Sequence, residues 1–328
     1  MINNNASNNK LRKKIGRKLT LSTFYNLRIP ILIVIVVVLF LILSDRFFTL
    51  QTLNSILSLM SAYGTIAIGQ TLVILIGGLD VSVGGIMAIS GLLMIKLMPY
   101  GPLAAIAAGL LCGIFIGLIN GLIITRFKVN SLVTTIGMSF LLGGIAFLVS
   151  DGTIHLKDHP IVEFGNGALW HIPYIAIIYI ALTLIIQYVL KRTTLGLKLY
   201  CVGANRMSCE FSGINSKNIE LLAFMFSGLF AGMGGLIFSS KLAAASPLIG
   251  GDVPIFVITA VLLGGTTIGG GYGDVLKTLS SIFLITLITK GLTLLNVEAY
   301  FQNMLLGIIL IALLFVGRRL ATRGRLFV

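Results

Sequence analysis

Carboxylates, imidazoles and thiols are the side chains best suited to do chemistry, and this chain of 328 residues has only 10 acidic residues, 3 histidines and 3 cysteines. His155, His159 and His171 lie with Asp151, Asp158 and Glu163 between residues 150 and 172. The four-residue spacing of His155 and His159 would let two imidazoles on a helix share a face and hold a metal ion. Gly152, Pro160, Gly165 and Gly167 argue against a helix long enough to fix that face, so the stretch reads as a solvated loop with no metal site. Cys201 and Cys209 fall in a loop assigned below to the inner side, where thiols stay reduced, and no disulfide is expected. They lack obvious further ligands for zinc. Cys112 sits inside an apolar run. There remains Asp80, in LIGGLDVSVGG (75–85), at the end of a stretch built for lipid. A carboxylate there is costly unless it finds donors, and no lysine or arginine lies within helical reach. Backbone N–H groups, hydroxyls such as Ser82, or water must serve. Asp80 either caps a helix beginning near Val81 or lines a polar pathway; the two are compatible, and the cap is preferred.

The elements that position these groups follow from composition. The chain is 57% hydrophobic and 10% charged, with a mean hydropathy of +1.04, where a soluble domain carries about 25% charged residues. This is an all-α integral membrane protein. Ten apolar spans are expected, at about 29–44, 53–76, 81–98, 102–124, 131–149, 173–190, 219–239, 252–264, 275–295 and 299–316. The third and eighth are short or interrupted by glycine, so broken or re-entrant helices are expected there. An even count puts both termini on one side. That side carries 19 of the 24 basic residues, so both termini are placed in the cytoplasm. Residues 1–28 form a basic tail, 29–317 a single membrane domain and 318–328 a second basic tail. The apolar run after the first tail ends in SDRFF without a small-residue cleavage site, so it reads as a retained span. The net charge of +14 belongs to this asymmetry and not to nucleic-acid binding.

The larger inner loop, 191–218, should contain a short helix capped by Asn205 or Ser208 and ended by Gly213. Glycine is abundant, at 38 residues. Gly109, Gly113 and Gly117, and Gly228, Gly232, Gly234 and Gly235, are spaced for close helix packing. A second glycine pattern occurs twice, in ILIGGLDVSVGG and LLGGTTIGGGYGD, and suggests two related halves. Irregular backbone at membrane depth is tolerated only against protein or a water-filled cavity, so both elements should face the interior.

The runs GQTLVILIGGLDVSVGGIMAISG (69–91), TTLGLKLYCVGANRMSCEFSGIN (193–215) and AVLLGGTTIGGGYGDVLKTL (260–279) resemble the membrane permease subunits of ribose-type ABC importers. NSLVTTIGMSFLLGGIAFLVSDG (130–152) and GLTLLNVEAYFQNMLLGIILI (291–311) are similar too. The resemblance implies a passive pathway for a sugar or related small polar solute in the bacterial cytoplasmic membrane. It implies a second permease chain, identical or paralogous, a cytoplasmic ATPase subunit, an external binding protein and surrounding lipid, and no cofactor. Gly77, Gly78, Asp80, Ser82, Gly84, Gly264 and Gly265 become candidate pathway residues. Gly203, Asn205, Arg206, Glu210, Phe211 and Gly213 become candidate ATPase-coupling residues, with Met207 and Phe211 spaced to form one apolar face. There is one departure: where the family carries Glu-Leu-Asp-Ala-Ile-Ala-Ala, this chain has PIFVITA, with Pro254 and Phe256 in the acidic positions. The chain has no G-x-x-x-x-G-K-[ST] phosphate loop, so another subunit must hydrolyse ATP. A secondary transporter is the alternative, but Asp80 lacks an ionisable partner for ion coupling. An enzyme is disfavoured because no histidine lies in a span.

Overall fold

Apolar stretches in lipid must satisfy every backbone polar group internally, and here they do so as helices. The computed structural model describes residues 27–156 and 159–322, with side chains to residue 315. Most of the basic tails, with Lys157 and Asp158, lies outside the described residues. In chain order the helices are α1 (Leu27–Leu43), α2 (Leu50–Leu75), α3 (Val83–Leu97), α4 (Pro102–Phe127), α5 (Ser131–Val149), α6 (Pro160–Asn166), α7 (Tyr174–Arg192), α8 (Thr194–Ala204), α9 (Arg206–Phe211), α10 (Ser216–Leu242), α11 (Val253–Leu263), α12 (Val275–Leu294) and α13 (Ala299–Thr322). A 3-10 turn, Met98–Tyr100, extends α3.

Seven of these helices are long and apolar enough to cross a membrane: α2, α3 with its extension, α4, α5, α7, α10 and α12. The segments expected as the first, eighth and tenth spans are helical as α1, α11 and α13. Of these α11 has 11 residues, about 16 Å at 1.5 Å per residue, roughly half of a hydrocarbon layer.

Helices α2 and α10 form the centre. Both bury large apolar side chains, among them Ile66, Leu72, Phe224 and Phe230, and α10 adds a run of small residues. A Cβ at Gly113 would overlap the Gly228 carbonyl, one at Gly117 the Phe224 carbonyl, and one at Gly235 the Met87 carbonyl. Backbone therefore touches backbone where α10 crosses α4 and α3, as the glycine spacing suggested. Helix α5 buries one face, through Thr135, Met138, Leu142 and Ala146. It turns Val133, Phe140 and Leu148 outward, a polarity suited to lipid.

The outer segment departs from a plain loop. Strand β1 (Ile154–His155) pairs antiparallel with β4 (Ala244–Ala245), and β2 (Ala168–Leu169) with β3 (Ile172–Pro173). Pro160 opens α6 because a proline at the first helical position has no N–H to lose. His159 caps it, Nδ1 accepting from Ile161 N at 3.3 Å. His155, in a strand, does not share a helical face with it. The inner loop is also more structured than expected, since α8 precedes α9. There the reduced-thiol expectation is overturned: Cys201 and Cys209 are joined as a disulfide. The sequence separation of 8 gave no sign that the α8–α9 bend would bring their Cα atoms to 6.1 Å.

Candidate functional site: two glycine turns and the loop seated on them

Helix α2 ends in a Schellman motif. Gly77, at φ 80°, donates its N–H to Ile74 O at 2.9 Å, and Gly78 N donates to Val73 O at 2.9 Å. Glycine is needed at Gly77 because an L side chain is strained in the left-handed region. Helix α11 ends the same way: Gly265, at φ 92°, donates to Leu262 O at 2.9 Å, and Thr266 N to Val261 O at 3.3 Å. The twofold motif seen in the sequence is thus a twofold helix stop.

The first turn, 77–82, starts at an exposed Gly77 and then enters the protein interior, burying Gly78, Asp80 and Ser82, and each of its N–H groups has a partner. Beyond the two glycines, Leu79 N donates to Ser131 Oγ at 3.2 Å and Val81 N to Thr135 Oγ at 3.1 Å, both from the start of α5. The Gln70 amide, oriented to satisfy both groups, accepts from Asp80 N at 3.2 Å and donates to Asp80 O at 3.0 Å. Ser82 N donates to Asp80 Oδ1 at 3.0 Å.

Asp80 is fully buried. Its Oδ1 also accepts from Ser82 Oγ at 2.6 Å, its Oδ2 accepts from Ser227 Oγ of α10 at 2.7 Å, and Asn120 Nδ2 of α4 donates to Ser82 Oγ at 2.8 Å. Among the described residues no lysine or arginine is paired with it. The capping expectation needs adjustment: Ser82 occupies the cap position before α3, with no side-chain cap bond of its own. Asp80 stands two residues ahead and closes an Asx turn on the Ser82 N–H. Gly84 follows in the first turn of α3, where a Cβ would overlap the Gly250 carbonyl.

The second turn, 264–274, is more exposed and bonds largely to itself. Thr267 N donates to Tyr272 O at 3.0 Å and Gly270 N to Thr267 O at 2.9 Å. It ends in Asp274, whose Oδ1 accepts from Leu276 N at 2.9 Å and Lys277 N at 3.4 Å as the cap of α12. Lys191 Nζ lies 3.5 Å from Asp274 Oδ2, and Gln187 Nε2 donates to the same oxygen at 3.3 Å.

These two turns meet, and the inner loop sits on the junction. Gly271 N donates to the carbonyl of Leu75, the last residue of α2, at 2.8 Å. A Cβ at Gly203 would overlap that same carbonyl, and one at Gly270 would lie 2.8 Å from Gly77 N. Three separate glycine-rich stretches therefore converge with no side chain between them. Tyr200 of α8 adds a bond, Oη to Gly273 O at 2.8 Å. Burial pushes this phenol's pKa up, which keeps it a donor.

Beyond Gly203 the loop turns outward. Asn205 caps α9, its Oδ1 accepting from Ser208 N at 3.0 Å, and Gly213, at φ 77°, ends the bend, both as expected from sequence. Met207 and Phe211 protrude, 68% and 86% exposed. Arg206 and Glu210, both half-exposed, join α9 to the start of α10: Arg206 Nη1 pairs with Glu220 Oε1 of α10 at 2.9 Å and Arg206 Nε with Glu210 Oε1 at 3.5 Å, while Ser216 donates to Glu210. Gln70, Asn120, Ser227, Glu220 and Asp274 are site residues that sequence reasoning missed. Asp274 alone carried a signal, since it follows the second glycine cluster as Asp80 follows the first Gly-Gly pair.

Pro254 and Phe256, at the departure from the family pattern, lie in α11. Pro254 opens the helix. Phe256 is buried, its ring 4.6 Å from that of Tyr63, which in turn stacks on Phe238 at 6.0 Å.

A bundle of membrane-length helices with irregular, internally satisfied turns in its interior defines a multi-pass membrane protein, and its likenesses give it a role. The family described as "Branched-chain amino acid transport system / permease component" matches residues 52–314, and the chain belongs to it. It is 31% identical over 284 residues to the ribose import permease protein RbsC of Escherichia coli K12, covering 84% of this chain and 88% of the relative. It is 32% identical over 292 residues to the D-allose transport system permease protein AlsC of the same strain, covering 88% and 90%. With the L-arabinose ABC transporter permease protein AraH of Azospirillum brasilense it shares 28% over 291 residues, covering 87% and 86%. No solved structure matches it. The resemblance read from the motifs holds over most of the chain, and the chain is a membrane permease component, not a secondary transporter.

Proposed function

We propose that this chain is the pathway-forming subunit of an ABC importer for a sugar or closely related polyhydroxylated solute, in the bacterial cytoplasmic membrane. Residues 29–317 form its membrane domain. It crosses the membrane ten times, the short α11 making the eighth crossing together with residues 243–252 before it, and both basic tails face the cytoplasm. It pairs with a second permease chain, takes solute from an external binding protein and is driven by ATPase subunits docked below. The solute class comes from the relatives, whose names specify ribose, allose and arabinose.

The observation that carries the coupling role is the Gly203 junction. Helix α9 offers two unshielded apolar side chains, Met207 and Phe211, on a loop whose other end rests on the Leu75 carbonyl at the end of α2 and on the Gly271 amide of the second turn. A push on α9 reaches α2 and the turn before α12 without a flexible side chain to absorb it. Gly77, Gly78, Asp80, Ser82, Gly84, Gly264 and Gly265 shape the pathway by fixing these turns. In this reading Asp80 positions the turn and does not touch solute. Gly203, Asn205, Arg206, Glu210, Phe211 and Gly213 make up the coupling element: Arg206 and Glu210 hold α9 in place, and Met207 with Phe211 makes the contact.

The test uses the assembled importer in proteoliposomes. Met207→Asp with Phe211→Asp should abolish solute-stimulated ATP hydrolysis while the permease keeps its thermal stability, because neither side chain is buried. Wild-type stimulation in that double variant would discard the docking role. Failure of ribose, allose and arabinose alike to stimulate hydrolysis or enter the vesicles would discard the sugar assignment.

A further inference from the structure

The Cys201–Cys209 bridge ties α8 to α9 and encloses Gly203, Asn205, Arg206 and Met207, the seat, the cap, the anchor and one contact residue of the coupling element. Helix α9 has six residues, far fewer than an isolated helix needs to persist in water. It is held by the Asn205 cap, the Arg206–Glu220 pair, the Ser216–Glu210 hydrogen bond and the bridge. Of the two sulfur-bearing residues, Cys201 is partly exposed and Cys209 fully buried. In a cytoplasmic loop, where glutathione and thioredoxin-type reductants act, a disulfide is a transient, redox-sensing bond and not a permanent staple.

We propose that Cys201 and Cys209 form a reversible thiol–disulfide site that sets the rigidity of the α9 docking helix, with low-molecular-weight disulfides of the glutathione class as the oxidant. The cytoplasmic setting and the effect on coupling rest on the function proposed above. The Cys201 thiolate attacks glutathione disulfide, forming a mixed disulfide and releasing one glutathione thiolate. The Cys209 thiolate then attacks the Cys201 sulfur, closing the bridge and releasing the second glutathione. Two protein thiols are oxidised and one disulfide is reduced to two thiols; excess glutathione runs the sequence backwards. The bridged form presents Met207 and Phe211 on a pre-ordered helix, which lowers the ordering cost of docking. The open form leaves α9 to fray.

The full-length protein, in a Cys112→Ser background, is equilibrated with glutathione and glutathione disulfide at graded ratios and then alkylated with a maleimide that adds mass. Both remaining cysteines should become protected together as the ratio turns oxidising, and be freed again by reduction. Hydrogen exchange of backbone amides 206–213 should slow at least ~10-fold on oxidation, since the closed segment loses chain entropy in its opened state. Cys209→Ser should exchange at the reduced rate under all conditions. Alkylation of both thiols at every ratio, or equal exchange in the two states, overturns the proposal. Neither readout needs an ATPase. In the assembled importer, stimulated hydrolysis should require a higher ATPase-subunit concentration after reduction. If hydrolysis ignores both redox state and the Met207→Asp, Phe211→Asp change, the docking role fails and not the thiol site.

Discussion

The turns after α2 and α11 share a design and differ in where their bonds go. Each stops a helix at a left-handed glycine, Gly77 or Gly265, and each closes on an aspartate that accepts the N–H two residues on, Ser82 or Leu276. The first turn borrows its remaining partners from afar: Ser131 and Thr135 on α5, Gln70 on α2 and Ser227 on α10, the last 147 residues from Asp80. The second is bonded mainly to itself, and its aspartate keeps a half-exposed lysine, Lys191, as a neighbour. A buried turn needs every polar group matched by protein, because water cannot substitute. An exposed one does not. The first turn is therefore held by the bundle around it, and the second, seated against Leu75 and under Gly203, is the part that shifts with α8 and α9 on the function proposed above.

Asp80→Ala gives the largest effect expected from this contrast. It strands the Ser82 and Ser227 donors in a dry site, at about 3 kcal/mol by the cost of unsatisfied buried groups, and should lower the melting temperature of the purified permease by several degrees. Asp80→Asn keeps an acceptor for Ser82, and Ser227 can turn to accept from the new amide, so stability should stay near wild type. A stable Asp80→Asn protein with lost uptake would show that the charge itself serves the solute, against the positioning role.

Gly77→Ala and Gly265→Ala compare the helix stops directly. Each forces a Cβ into the left-handed region, at ~1–2 kcal/mol. Thermal unfolding should show both penalties similar in size. A much larger loss at Gly265 would refute the view that its turn has slack.

Asp274→Ala should cost only about 1 kcal/mol, the usual value of a helix cap. Its ion pair with Lys191 adds little, because that lysine is half exposed. A loss equal to that of Asp80→Ala in the same unfolding measurement would remove the distinction between the turns.

The smallest effect concerns pH at α9. The hydrogen bond from Ser216, and then the Arg206 guanidinium, holds the Glu210 carboxyl below its ordinary 4.5. A depressed carboxylate contributes its stabilisation above the ordinary value, and loses it as pH falls through the lowered one. Protection of the α9 amides, corrected for intrinsic exchange, should hold at neutral pH and decline only as the pH falls below the ordinary carboxylate range. Glu210→Gln should make that decline shallower, the remainder belonging to the Arg206–Glu220 pair; an unchanged profile would mean the Glu210 carboxylate does not help hold α9.

Local sequence was enough for whatever depends on near neighbours. Hydrophobic runs gave the helices, since lipid leaves apolar backbone no other way to pair its polar groups. Asn205 and Gly213 marked the bounds of α9, because caps and left-handed stops act within a few residues. The glycine spacings of α4 and α10 showed that backbones would touch, though not which ones. The outer segment was harder to read: Pro160 looked like a breaker and proved to be a helix start, and β1 needed Ala244 and Ala245, some 90 residues along the chain. The tertiary structure alone decided the rest. It brought Ser227 to Asp80, Glu220 to Arg206 and Cys209 to Cys201, and stacked Leu75, Gly203 and Gly271 at one junction. A hydroxyl, a carboxylate or a glycine has the same local signature whether it meets solvent or a distant backbone, and only the packing of the bundle selects its partner.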